Sequence, residues 1–184
     1  MLFTLGADCP STADLNELWL ITPAGQDAQP QVPLPALWAD ETVPAGWLEG
    51  EVAWWNDRLG CEALCIDEYG EVLVDVGYVS PYADGDLLDL DDDGETAERA
   101  HVEFDADGFV VSGTITISSD IAYNESTARL ALRHAIGHVP LALADDPGPP
   151  MTVDLRSTMG SPNDPLGDLL EADRAALLEA GVCP

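Results

Sequence analysis

The stretch RHAIGHVPLALADDP, residues 133–147, decides how the rest of the chain is read. Positions i and i+4 of an α-helix lie one turn apart on a single face. His134 and His138 can therefore direct two imidazoles at one ion, which is the geometric reason for the His-x-x-x-His spacing of zinc-binding helices. Pro140 removes a helical N–H donor and clashes with the preceding turn, so the helix is predicted to run over 125–139 and to stop there. Asn124 or Ser126 can cap its start. Between the histidines stands Ala135, where a hydrolytic zinc helix carries a glutamate. A catalytic zinc site needs three protein ligands, an open position and a general base; a methyl group supplies neither ligand nor base. The competing reading is a pair of structural histidines with ordinary hydrogen-bond partners.

Working outward, WLEGEVAWWNDRL at 47–59 places Leu48, Val52, Trp55 and Leu59 on one face at helical spacing, with Gly60 as its stop. EVLVDVGYV at 71–79 alternates Val72, Val74 and Val76 as a strand does. HVEF (101–104) and FVVSGTITIS (109–118) flank DADG, a hairpin pattern, and His101 within that strand reads as structural. Downstream, LGDLLEADRAALLEAG at 166–181 is a closing amphipathic helix ended by Gly181. Residues 1–45 are rich in proline; a strand near 17–22 is followed by an N-terminal wrap or propeptide-like extension, leaving 46–184 as a single domain. The element order implies an α+β fold, or a three-layer α/β/α sandwich, built on a mixed twisted sheet.

The 184 residues carry 35 acids against 6 bases, all arginine, for a formal net charge of −29. Such a surface repels phosphates, which argues against nucleic acid and anionic membranes as partners. It suits cations, basic partners or a salty or extracellular medium. No apolar run reaches membrane-spanning length, and MLFTLGADCP lacks the basic and apolar regions of a signal peptide. Four cysteines allow three pairings. Because domain termini often lie close together, Cys9–Cys183 with Cys61–Cys65 is the favoured set, with four buried thiols as the alternative. Disulfides imply an oxidising compartment: secreted, extracellular or periplasmic.

The segment LRHAIGHVPLALADDP, the later RSTMGSP and the closing helix together resemble the metzincin clan of zinc peptidases, in particular its matrixin-like members. AWWNDRLG looks like the clan's first long helix, and GTITIS like the strand that lines its substrate cleft. The resemblance covers roughly residues 45–180 and is most specific at His134, Gly137, His138 and Met159. It implies Zn²⁺ held by His134 and His138, a methionine turn at Met159, and a peptide or protein substrate taken by a monomer.

Three departures from the family pattern matter. The base position is Ala135. The glycine position is Leu141 and the third-ligand position Ala144. LALADD reads like the family's LGLxHD displaced by one residue, which brings Asp145 to the third-ligand place, with Asp146 as the fallback; carboxylate is a competent zinc ligand. General acid–base catalysis contributes about 10²–10⁴-fold, so a metalloendopeptidase fold with Ala135 is expected to be almost inert, whether the alanine is an introduced replacement or that of a natural pseudo-peptidase. The alternative function is a non-catalytic acidic peptide- or protein-binding domain without metal. Arg133 and Arg156 flank the motif and are expected to pair with local carboxylates.

DLDDDG at 89–94 sets Asp89, Asp91 and Asp93 at alternate positions before a glycine, the spacing of the first half of a calcium loop. Ala100 stands where a bidentate glutamate would close such a loop. The matrixin-like resemblance implies structural Ca²⁺ in this region; the competing reading is a solvated acidic loop spanning 82–98.

Overall fold

The computed structural model describes residues 28–79, 98–143 and 171–183. Their elements follow in the order β1 (Gln29–Pro30), β2 (Leu37–Ala39), α1 (Trp47–Leu59), β3 (Val72–Gly77), β4 (Glu98–Phe104), β5 (Phe109–Ser118), α2 (Glu125–His138) and α3 (Glu171–Glu179). This is an α+β chain, as its element pattern implies.

Five strands form one sheet centred on β5. β4 folds back on β5 as an antiparallel hairpin in which Glu98 faces Ile117 and Ala100 faces Ile115. The other edge of β5 is shared by β1, at Phe109 and Val110, and by β3, from Gly113 to Ser118, both parallel to it. β2 extends the sheet beyond β3 in parallel register. The DADG turn closes through Asp105: its carboxylate accepts from the N–H groups of Asp107 and Phe109, and Gly108 takes the positive φ of 88° that a side chain would resist.

Residues 28–45, expected to belong to an extension, contribute β1 and β2 to this sheet and Leu34 and Leu37 to its core. Proline conceals them from a pattern reading. Pro30 can serve because a two-residue strand at the end of a sheet needs few ladder donors.

Alternation along the strands sorts the two faces. Val72 and Val74 of β3, Ala100 of β4, and Ile115 and Ile117 of β5 are buried on the inner face, and α2 packs against β4 and β5 there. Gly113 makes the close approach possible. A Cβ at that position would lie 2.5 Å from the His101 carbonyl oxygen and 2.7 Å from Val139 Cγ1, so only glycine lets the hairpin and the end of α2 meet.

α1 buries the face read from its spacing: Leu48, Val52, Trp55 and Leu59, joined by Trp47. Each large apolar side chain so buried contributes about 1.5–3 kcal/mol. Gly60 ends the helix in the left-handed conformation at φ 81°. α1 is also fastened to α2 by polar contacts. Glu51 is fully buried and accepts 2.7 Å bonds from Nε of Arg129 and Nε of Arg133. Trp55 Nε1 donates to the Arg133 carbonyl at 3.0 Å, and the Arg133 guanidinium lies 4.2 Å from the Trp54 ring centre. The expected pairing of Arg133 with a carboxylate thus comes from Glu51.

The cysteine pairing differs from the expectation. Cys61 is bonded to Cys183, and Cys65 is an exposed free thiol, so neither Cys9–Cys183 nor Cys61–Cys65 forms. The reason lies in local geometry. Beyond Gly60, Asn56 Oδ1 accepts from the N–H groups of Ala63 and Leu64, and the Cys65 carbonyl accepts from Leu37 N. That carries Cys65 off toward β2 and leaves Cys61 at the end of α1. There α3 docks, with Arg174 Nε donating to the Arg58 carbonyl at 2.9 Å, and brings Cys183 within a Cα–Cα distance of 5.9 Å.

Candidate metal centre

α2 is a 14-residue helix whose Asn124 cap accepts from Thr127 N. It ends at His138 as Pro140 requires, with Val139 already extended. The chain then folds back over the helix end: Ala142 N donates to the His138 carbonyl and Leu143 N to the Gly137 carbonyl. Ala142 makes this reversal at a φ of 56°, a left-handed conformation that costs a residue with a Cβ about 1–2 kcal/mol.

That return stroke orients the site. His138 Nδ1 lies 2.7 Å from the Leu143 carbonyl oxygen. A carbonyl can only accept, so Nδ1 carries the proton and the neutral ring presents a lone pair at Nε2. Fixing a metal-binding imidazole through its other nitrogen is the usual outer support of such ligands. Nε2 of His138 faces Nε2 of His134 at 2.9 Å, with the rings nearly perpendicular at 81°. Both side chains are buried, as is Ala135 between them. The two imidazoles expected to converge from one helix face do so.

A third group was not anticipated. Glu98, the first residue of β4, is fully buried on the inner face of the sheet and holds Oε1 3.6 Å from His134 Nε2. Glu98, His134 and His138 each offer one ligand atom, and these atoms all lie within 4.8 Å of one another, a group able to hold a metal ion. Two imidazole nitrogens and a carboxylate oxygen suit zinc and its neighbours among the divalent metals. Sequence reading placed Glu98 at the end of an acidic loop. The pattern that reveals it is two-residue alternation: Glu98, Ala100 and Val102 point inward, while His101 and Glu103 are exposed.

Asp145, Asp146, Met159, Arg156, Cys9 and the calcium candidates Asp89, Asp91 and Asp93 lie outside the described residues. The strand expected to line a cleft, 109–118, is interior to the sheet: between Gly113 and Ile117 it is bonded to β3 on one side and β4 on the other. Among the described residues β4 is an edge strand, paired with β5 alone, as β1 and β2 are each paired with a single strand. On the outer face, away from the histidines, Arg99, His101, Thr114 and Thr116 line a cavity of about 290 Å³. His101 is exposed there and is not part of the core.

Among the described residues no helix is long and apolar enough to cross a membrane. The Cys61–Cys183 disulfide points to an oxidising compartment. No family model matches the chain, and no curated protein matches it in sequence.

Proposed function

We propose that this chain is a zinc-binding domain of metzincin-like build, secreted, whose hydrolytic centre lacks its general base. The observation that carries the reading is the convergence of His134 Nε2 and His138 Nε2 at 2.9 Å inside the protein, with His138 set for ligation by its bond to the Leu143 carbonyl. The element order supports it, since a parallel sheet with an antiparallel hairpin strand is followed by a histidine-bearing helix and a closing helix. Ala142 supports it further. In the one-residue displacement that aligns LALADD with the family's LGLxHD, Ala142 takes the glycine's place, and it is Ala142 that adopts the positive φ.

Zinc, when bound, would supply Lewis acidity and a lowered pKa for coordinated water. The chain's own residues orient and shield it: the Leu143 carbonyl holds the His138 tautomer, and the buried surroundings exclude bulk water. No carboxylate stands at position 135 to move the proton from nucleophile to leaving amine, so the reading is of a peptide- or protein-binding relative of a peptidase. A peptide ligand would lie beside β4, the edge strand that bears Glu98 and pairs antiparallel with β5.

A second reading is favoured by the same 2.9 Å separation. Without metal it is a good hydrogen bond from His134 Nε2–H to His138 Nε2, and the domain would then be a metal-free acidic binding module. Metal analysis of protein purified without chelator separates the two. About one zinc per chain is expected, and a content far below one rejects the metal reading. Ala135→Glu then tests the missing base in a casein-cleavage assay. Gain of proteolysis identifies a peptidase lacking only its base; none, with zinc retained, supports the binding module.

A further inference from the structure

We infer that Glu98 is the third protein ligand of the metal, so that the ion fastens the hairpin strand β4 to helix α2. This rests on the two-histidine metal centre and adds to it a ligand from a different layer of the fold. Glu98 is fully buried on the inner face of the sheet, with Ile117 as its cross-strand neighbour. The groups nearest its tip include the Nε2 of His134, at 3.6 Å. That distance exceeds a hydrogen bond but is close to the spacing of two ligands around one ion. With bonds of about 2.0–2.2 Å in a tetrahedron, neighbouring ligand atoms stand about 3.3–3.6 Å apart. The Oε1–Nε2 distance of 3.6 Å lies at the upper end of this range, and the Nε2–Nε2 distance of 2.9 Å falls a few tenths of an ångström short of it. Metal entry needs the imidazoles to part by a few tenths of an ångström, and all three ligand atoms already lie within 4.8 Å of one another.

The ligands so assigned come from two layers of the fold, one carboxylate from the sheet and two imidazoles from the helix.

The test compares Zn²⁺ affinity, by competition with a chromophoric chelator, for the wild-type chain, Glu98→Gln and His138→Ala. Glu98→Gln keeps the side chain's shape and removes its charge. Expected are a loss of at least 100-fold for Glu98→Gln and no measurable site in His138→Ala. Wild-type affinity in Glu98→Gln with loss in His138→Ala overturns the role of Glu98 and leaves the two-histidine centre standing. Absence of zinc binding by the wild-type chain overturns both. Hydrogen exchange on the wild-type chain keeps the proposal decidable if either variant fails to fold. Zn²⁺ should slow exchange in β4 (98–104) together with α2; protection confined to α2 overturns the link to the sheet.

Discussion

At the scale of single residues, the strongest commitments are buried charges met by specific partners. Glu51 gives one oxygen to Arg129 and the other to Arg133, each at 2.7 Å. Removing one partner of a buried pair costs about 3–5 kcal/mol because the other charge stays behind. Here the arginine side chains keep 33% and 15% of their exposure, so the lower figure applies. Glu51→Ala should destabilise the fold by about 3 kcal/mol in urea unfolding; a change under about 1 kcal/mol would show that water replaces the carboxylate cheaply. Glu51 and Glu98 were equally hard to see in the sequence. Among 35 acids a buried one carries no compositional mark, and only its place in a helical or two-residue period betrays it. His134 and His138 were legible because four-residue spacing and a helix-ending proline are local facts.

At the scale of elements, what could be read was what each segment fixes for itself. The helix starting at Trp47, its stop at Gly60, the hairpin around DADG and the end of α2 before Pro140 all follow from capping, spacing or turn chemistry, and all are present. β1 and β2 were not legible: short parallel strands among prolines gain their pairing from β5 and β3, remote in sequence. The position of β5 inside the sheet was hidden for the same reason, because strand order is not a local property. The meeting of β4, β5 and α2 gives an element-scale prediction. Gly113→Ala would drive a methyl into the His101 carbonyl and Val139 and should cost about 2 kcal/mol, within the usual range for overpacking. Gly77→Ala, which meets only Thr116 Cγ2 at 3.4 Å, is the control and should cost clearly less. Equal unfolding midpoints for the two variants would refute the tight contact. Because Val139 follows His138 directly, Gly113→Ala should also weaken zinc uptake.

For the whole molecule the governing quantity is charge. A net −29 spread over 184 residues opposes compaction. Screening shortens the reach of that repulsion from about 10 Å at 0.1 M salt to about 3 Å at 1 M. The melting temperature should therefore rise by several degrees between these concentrations of sodium chloride; a flat or falling trend would mean the acids are already offset within the fold. The sequence disclosed this property fully, since charge is additive, whereas the Cys61–Cys183 pairing required the docking of α3 on the end of α1. That bond, spanning 122 residues, has a topological consequence: β3, β4, β5 and α2 all sit within one covalent ring. A protease that cuts any single peptide bond inside the ring releases nothing. The nicked protein travels as one molecule, heavier only by a water, and parts into two pieces when a thiol reductant opens the ring.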